Sequence, residues 1–333
     1  MVDQTENLKK VLRDPVCLGK LEDLARLCAE SETHGSFQLA AFDDDTKIQK
    51  LFKVLVGREN YTFLVWRDTG EEVVLQVQGL LVACSLPPLS SRSKPPIKCA
   101  HIMKQSVMIC GDDCKSFHTV LSALRRIQYV DENFSIGVVH GFEISNSAGF
   151  NTIMASTHLL TPVESKMWSS IQEGPSMVID PKHVLRDLVK TGRYQFTEDN
   201  IVGYWEMLPD IVEGNLGLCS TLAATEANPG IFRPGQLVEM SINIRALQMG
   251  SLCNVVLHMD SLTMHDHYGA SLLANMKPSK SVSELQDMTI TPRKCKVSID
   301  DIIVGRGVRA RMQDMSIGES EGGKVGESSK MVL

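Results

Sequence analysis

A histidine and an aspartate lie two residues apart in His258-Met259-Asp260, and His265, Asp266 and His267 follow within a few residues. Imidazole and carboxylate both ligate divalent ions, and an H-x-D pair opens the facial triad of iron oxygenases. That triad needs a distal histidine, and none follows His267, so the oxygenase reading falls. A divalent metal held by His258, Asp260, His265 and His267 is the alternative to a polar, solvated strand face. The solvated face is the commoner outcome for such clusters. Otherwise no cofactor is expected.

Cys99, His101, Cys110, Cys114 and His118 form a second cluster. Tetrahedral zinc sites use closely spaced cysteine pairs. The C-x-H-x8-C-x3-C-x3-H spacing matches no standard finger, and free cysteines commonly serve as small buried hydrophobes. Cys114 near a helix start could be activated as a thiolate, although Asp112 and Asp113 beside it oppose that. The sequence has no G-x-G-x-x-G after a strand, no phosphate loop, no G-x-S-x-G elbow and no H-E-x-x-H. Gly305 to Arg311 is a small basic tract that reads as the start of a solvated tail.

The elements that must carry these residues are read from periodicity and turn chemistry. Leu8, Val11, Leu12, Leu21, Leu24 and Leu27 recur at helical spacing over 1–30, interrupted at Asp14-Pro15. Tyr61 to Trp66, Asp68-Thr69-Gly70 and Val73 to Ala83 read as a hairpin. Residues 86–98 carry two Pro-Pro pairs and read as an exposed loop, with a polyproline docking site as the rarer alternative. Val107 to Cys110 reads as a strand, and Asp113 as the cap of a helix over 114–130. Residues 135–144 alternate as a strand. Three more helices are expected within 162–208, starting at Thr161-Pro162-Val163-Glu164, at Asp180-Pro181 and at Thr197. Residues 209–236 read as a long irregular stretch.

The strongest pattern is the hairpin at 237–262. Val238, Met240, Ile242, Ile244 and Ala246 alternate with polar residues, and Cys253, Val255, Leu257 and Met259 do the same on the return strand. Matching apolar faces predicts Ala246 opposite Cys253, Ile244 opposite Val255, Ile242 opposite Leu257 and Met240 opposite Met259. His258 then faces Ser241, and Asp260 faces Glu239. Two carboxylates across a sheet repel, so a charged His258, a lysine or arginine, solvent or a cation must relieve them.

The chain has 333 residues, 43% hydrophobic and 22% charged, enough to bury a core without staples. A net charge of -6 and 5% aromatics argue against nucleic acid. No apolar run reaches the roughly 20 residues that span a bilayer. The start is polar, and nine scattered cysteines suit a reducing cytoplasm or nucleus.

Arg233-Pro234-Gly235-Gln236-Leu237-Val238-Glu239, leading into a strand pair, resembles a segment of uncharacterised, lineage-restricted proteins of mushroom-forming fungi, over at most 135–265. The resemblance implies a lineage-restricted family and attaches no chemistry.

The expected fold is α+β: an antiparallel β-sandwich or partial barrel with inserted helices and a helical N-terminus. The expected division is a helical N-terminal segment at 1–58, a mixed β-rich domain at 59–304 and a disordered tail at 305–333. The expected function is a non-catalytic protein-interaction or scaffold protein. The alternative is a small-molecule-binding protein or metal-dependent enzyme with its site on the polar face of the 237–262 hairpin. A concave pocket on that face favours the alternative. Oligomeric state is not legible.

Overall fold

Pro15 can begin a helix but not continue one, so the N-terminal periodic stretch becomes two helices, α1 (Val2–Leu12) and α2 (Pro15–Glu30). Asp14 caps the second, its carboxylate accepting from the Val16 and Cys17 N–H groups at 3.0 and 3.1 Å. Val11, Leu12, Cys17 and Leu21 are buried in the main core, whereas Leu27 is 58% exposed and does not continue the apolar stripe. The structure is a computed structural model. It describes residues 2–276, apart from 32–34, 58–60, 90–96, 112, 131–137, 141–144, 148, 165–169, 210–221 and 250–251. These residues belong to one compact unit, Met1–Pro278. The expected tail at 305–333 and most of the Pro-rich loop lie outside the described residues, as does part of the 135–144 stretch.

The fold is α+β. Helix α3 (Asp45–Leu51) runs into β1 (Phe52–Val56), followed by β2 (Tyr61–Trp66), β3 (Val74–Ser85) and β4 (Lys104–Cys110). Helix α4 (Lys115–Val130) comes next, then β5 (Val138–His140), β6 (Ser145–Ser147), β7 (Phe150–His158) and β8 (Thr161–Pro162). Helix α5 (Val184–Lys190), β9 (Tyr194–Gln195), β10 (Gly203–Pro209) and β11 (Leu222–Glu226) lead to β12 (Leu237–Met249), β13 (Leu252–Asp266) and α6 (Tyr268–Asn275). The main sheet runs β11-β10-β13-β12-β3-β4-β7-β6, with β1 on β2, β2 on β12 and β5 on β13. It is mostly antiparallel, with two parallel pairings, of β10 and of β5 with β13.

The sheet does not close into a barrel, but β7 returns to β13. The Thr157 hydroxyl donates to the Met259 carbonyl at 2.7 Å and accepts from the Met259 N–H at 3.1 Å. One side chain thus satisfies both backbone groups on a stretch of β13 that lies between its β5 and β10 pairings. Strands β2 and β3 are joined tightly, as expected, but do not form a ladder with each other. Each pairs with β12, β3 along 237–243 and β2 along 245–247.

Helix α4 starts where expected, with a different cap. Glu22 of α2 accepts the Lys115 N–H at 2.6 Å, a role the sequence suggested for Asp113. Among the described residues, two of the three helices expected within 162–208 do not form. Thr161-Pro162 is a strand paired with β9, and the Thr197 capping box closes only a 3-10 turn at Glu198–Asn200 before β10 begins. Tyr204 and Trp205 suit a pleated strand better than a helix, and pairing with β13 secures that choice. The helix expected from Asp180 is α5, which ends at Thr191-Gly192 as expected. A small second core of Ala100, Leu159, Leu160, Leu185, Leu188, Tyr194 and Phe196 fixes this segment.

The β12–β13 hairpin forms with its expected apolar face but a register two residues away. Ala246 faces Val255, Ile244 faces Leu257 and Ile242 faces Met259, because the strands run on to a Met249–Leu252 pair. Asp260 is the extra residue of a bulge between the Ser241–Ser261 and Ile242–Met259 pairs. The bulge moves the inward positions of β13 from Val255, Leu257 and Met259 to Leu262 and Met264. His258 therefore faces Asn243, and Glu239 faces Thr263. The expected carboxylate pair of Glu239 and Asp260 does not exist.

Candidate functional site

On the side of β12 away from the core, Asn243 and Arg245 follow the polar half of the alternation, yet both are buried. Two turns far away in sequence cover them. Glu72, between β2 and β3, takes the Arg245 guanidinium in a two-pronged pair at 2.6 and 2.8 Å. Asp199, in the 3-10 turn before β10, takes a third hydrogen bond at 3.0 Å. The Phe63 ring lies 5.3 Å from the guanidinium carbon. Such fork-to-carboxylate geometry makes the pair directional as well as strong.

A buried polar chain sets the position of Asp199. Asn200 accepts from the Thr197 N–H at 2.8 Å and the Thr161 hydroxyl at 3.1 Å, and it donates to the His158 carbonyl at 2.9 Å. Its own carbonyl accepts from Gln105, which in turn accepts the Tyr204 hydroxyl at 2.7 Å. The 3-10 turn is thereby tied to β4, β7 and β10 at once.

His258 Nε2 donates to the Asp199 carbonyl at 3.1 Å, and its Nδ1 is buried without a partner. Burial, and then the nearby Arg245 charge, pull the imidazole down to about 4, so the ring is neutral at neutral pH. Arg245 and His258 form part of a cleft of about 310 Å³ between the sheet and the segment held by the second core. Leu160, Leu247 and Val256 give it apolar walls, and Lys104, His101 and His158 also line it. A wider depression of about 570 Å³ adjoins it, sharing Asp199, Arg245 and His258 and adding Glu72, Trp205 and Asp260.

The four residues proposed as metal ligands do not form one site. His258 and Asp260 border the same depression. His265 lies instead beside Glu239, whose carboxylate accepts from Gln78 at 2.6 Å and Cys28 at 3.4 Å. Burial lowers the His265 proton affinity, and its Nε2 has no partner. His267 is exposed before α6, where Asp266 accepts the Tyr268 N–H at 2.7 Å. Among the described residues no group of three His, Cys, Asp or Glu is placed to hold a metal ion. In the cysteine cluster, Cys110 and Cys114 are buried while His101 and His118 are exposed. Burial, followed by Glu22, pushes the Cys114 thiol up to about 12, the same direction in which the neighbouring aspartates were expected to act. The Cys99 side chain lies outside the described residues.

Glu72, Asp199, Arg245, Lys104 and His158 were not found from sequence. Arg245 carried one signal, a lone charge in the otherwise uncharged run from Ser241 to Met249. Its partners lie 173 and 46 residues away. No helix of the described residues is long and apolar enough to cross a membrane. Comparison with known proteins finds no matching family model, no matching curated protein and no matching solved structure.

Proposed function

We propose that this chain is a non-catalytic binding protein whose site is the cleft over the polar face of the β12–β13 hairpin. The observation that carries this reading is the concavity itself, about 310 Å³ with apolar walls beside a fixed polar group. That combination is the usual form of a small-molecule site. Arg245 is occupied by two carboxylates, and His258 has only one carbonyl as partner, so neither is arranged as a nucleophile–base pair. The ligand that suits the walls is a small molecule with an apolar body. The neutral fluorophore N-phenyl-1-naphthylamine should bind saturably at one site. Val256→Trp, at an exposed wall position, should weaken it by at least tenfold with an unchanged melting temperature. Absence of saturable binding to the wild type would remove this reading.

A protein partner is favoured by a different observation. Among the described residues β1 pairs only with β2, and it leaves Leu55 50% and Val56 65% exposed. An uncovered edge strand with apolar side chains invites another strand. On this reading the protein self-associates, and Val56→Lys abolishes the association in sedimentation experiments. A wild type that stays monomeric at every concentration sinks it. Membership of a lineage-restricted fungal family is a further proposal, resting only on the Arg233–Glu239 segment.

A further inference from the structure

We infer that the cleft takes an anionic ligand, its apolar body against Leu160, Leu247 and Val256 and its negative group at Lys104, flanked by His101 and His158. This rests on the cleft being a ligand site, and it adds the charge and the orientation.

Register places Lys104 directly opposite His158 on neighbouring strands. A sheet gains from opposite charges at facing positions and loses from like ones. Here a lysine faces a histidine, with His101 nearby, and among the described residues no carboxylate pairs with them. Loss of surrounding water, then Lys104, then His101 lower the proton affinity of His158, which shows three basic groups within electrostatic reach of one another. The Lys104 side chain makes no hydrogen bond and no ion pair with another described residue.

A second set of charges at the cleft has the opposite sense. Asp199 is the one carboxylate on the lining among the described residues. Together with Glu72 it outnumbers the single Arg245 cation they share, leaving one net negative charge there. An anion is repelled by that excess and drawn to Lys104. Apolar side chains line the same cleft, so the orientation follows from the charges and the affinity from the walls. Carboxylates, sulfonates and phosphate monoesters attached to an apolar body share this chemistry.

A matched pair of probes tests it. 1-Anilinonaphthalene-8-sulfonate carries the same ring body as N-phenyl-1-naphthylamine plus one sulfonate. The wild type should bind the sulfonate at least fivefold more tightly than the neutral probe at low salt, and the preference should shrink at high salt. Lys104→Gln should cancel the preference while leaving the neutral probe's affinity unchanged, and Lys104→Arg should keep it. Lys104 is exposed and has no hydrogen-bond or ion-pair partner among the described residues, so the variants should melt with the wild type. Neutral binding without a sulfonate preference, or a preference that survives Lys104→Gln, overturns the anion inference and leaves the cleft reading standing. Failure of both probes overturns the cleft reading, and the inference goes with it.

Discussion

Arg245 shows how a single charged side chain can hold together parts of the chain that are remote in sequence. It is 7% exposed, and two carboxylates from separate turns close over it. Replacing it with an apolar side chain leaves two half-buried carboxylates without a cation. Arg245→Met should therefore cost about 3 kcal/mol, the usual scale for breaking a buried ion pair from one side. Adding Asp199→Asn to that variant should recover part of the loss, because it removes one orphaned charge. Chemical denaturation of both variants measures this. A double variant less stable than Arg245→Met alone would mean Asp199 is held by something other than the ion pair. His258 beside it gives a pH signature. The folded ring takes a proton near pH 4, and the unfolded ring near its ordinary 6.5. Between those values the unfolded chain binds the extra proton, so the contribution of neutral His258 is complete above about pH 6.5 and is lost as pH falls toward 4. The slope attributable to this one ring is at most about 1.4 kcal/mol per pH unit. Stability of wild type and His258→Gln, compared from pH 7.5 to 4.5, should differ by that component. Identical pH slopes would show that His258 does not change its protonation on unfolding.

At the scale of elements, the turn into β12 explains why the Arg233–Glu239 segment has its composition. The Gln236 side chain accepts the Arg233 N–H at 2.6 Å and donates to the Ile231 carbonyl at 3.1 Å, closing the turn on itself. Gly235 donates to the Leu81 carbonyl at 2.7 Å, and Leu81 donates to the Gln236 carbonyl at 2.8 Å, docking the turn on β3. Gly235 has φ of +90°, and a Cβ there would lie 2.8 Å from the Gly269 backbone at the start of α6. Gly192 has φ of +72° with nothing within 4 Å. Gly192→Ala should thus cost only the left-handed backbone penalty of about 1 kcal/mol, and Gly235→Ala at least about 2 kcal/mol more for the steric conflict. Equal losses in thermal melts would mean that α6 shifts freely away from the turn. The same scale shows what the sequence could carry. The inward face of β12 was legible because alternation is local, and the α1–α2 break because proline acts locally. The register was not, since pairing by apolar match is satisfied equally well two residues along. The Asp260 bulge breaks the strict alternation from which a register is inferred. Tyr204–Trp205 reads as a helix in the sequence because the Thr197 cap is real, and only pairing with β13 shows that the turn goes no further. The cleft was legible only as a polar face, because Glu72, Asp199 and Lys104 meet Arg245 and His258 through topology alone.

At the scale of the whole molecule, the N-terminal helices are part of the core. Val11, Leu12, Cys17 and Leu21 share one buried cluster with β3, β4, α4 and β12. Glu22 caps α4, the Cys28 thiol reaches Glu239, and Lys20 pairs with Asp266 at the end of β13. Each fully buried aliphatic side chain contributes roughly 1.5–3 kcal/mol. Three such aliphatic side chains, with a cysteine, a helix cap and the desolvation of their partners, approach the 5–15 kcal/mol that separates most folded domains from unfolding. Deleting residues 1–30 should therefore abolish the cooperative thermal transition, where an appended segment of similar length would leave it intact. Circular dichroism on the shortened chain decides between the two. A sharp transition within a few degrees of the full chain would mean that the sheet and α4 form a self-sufficient domain, with the first two helices laid on its surface.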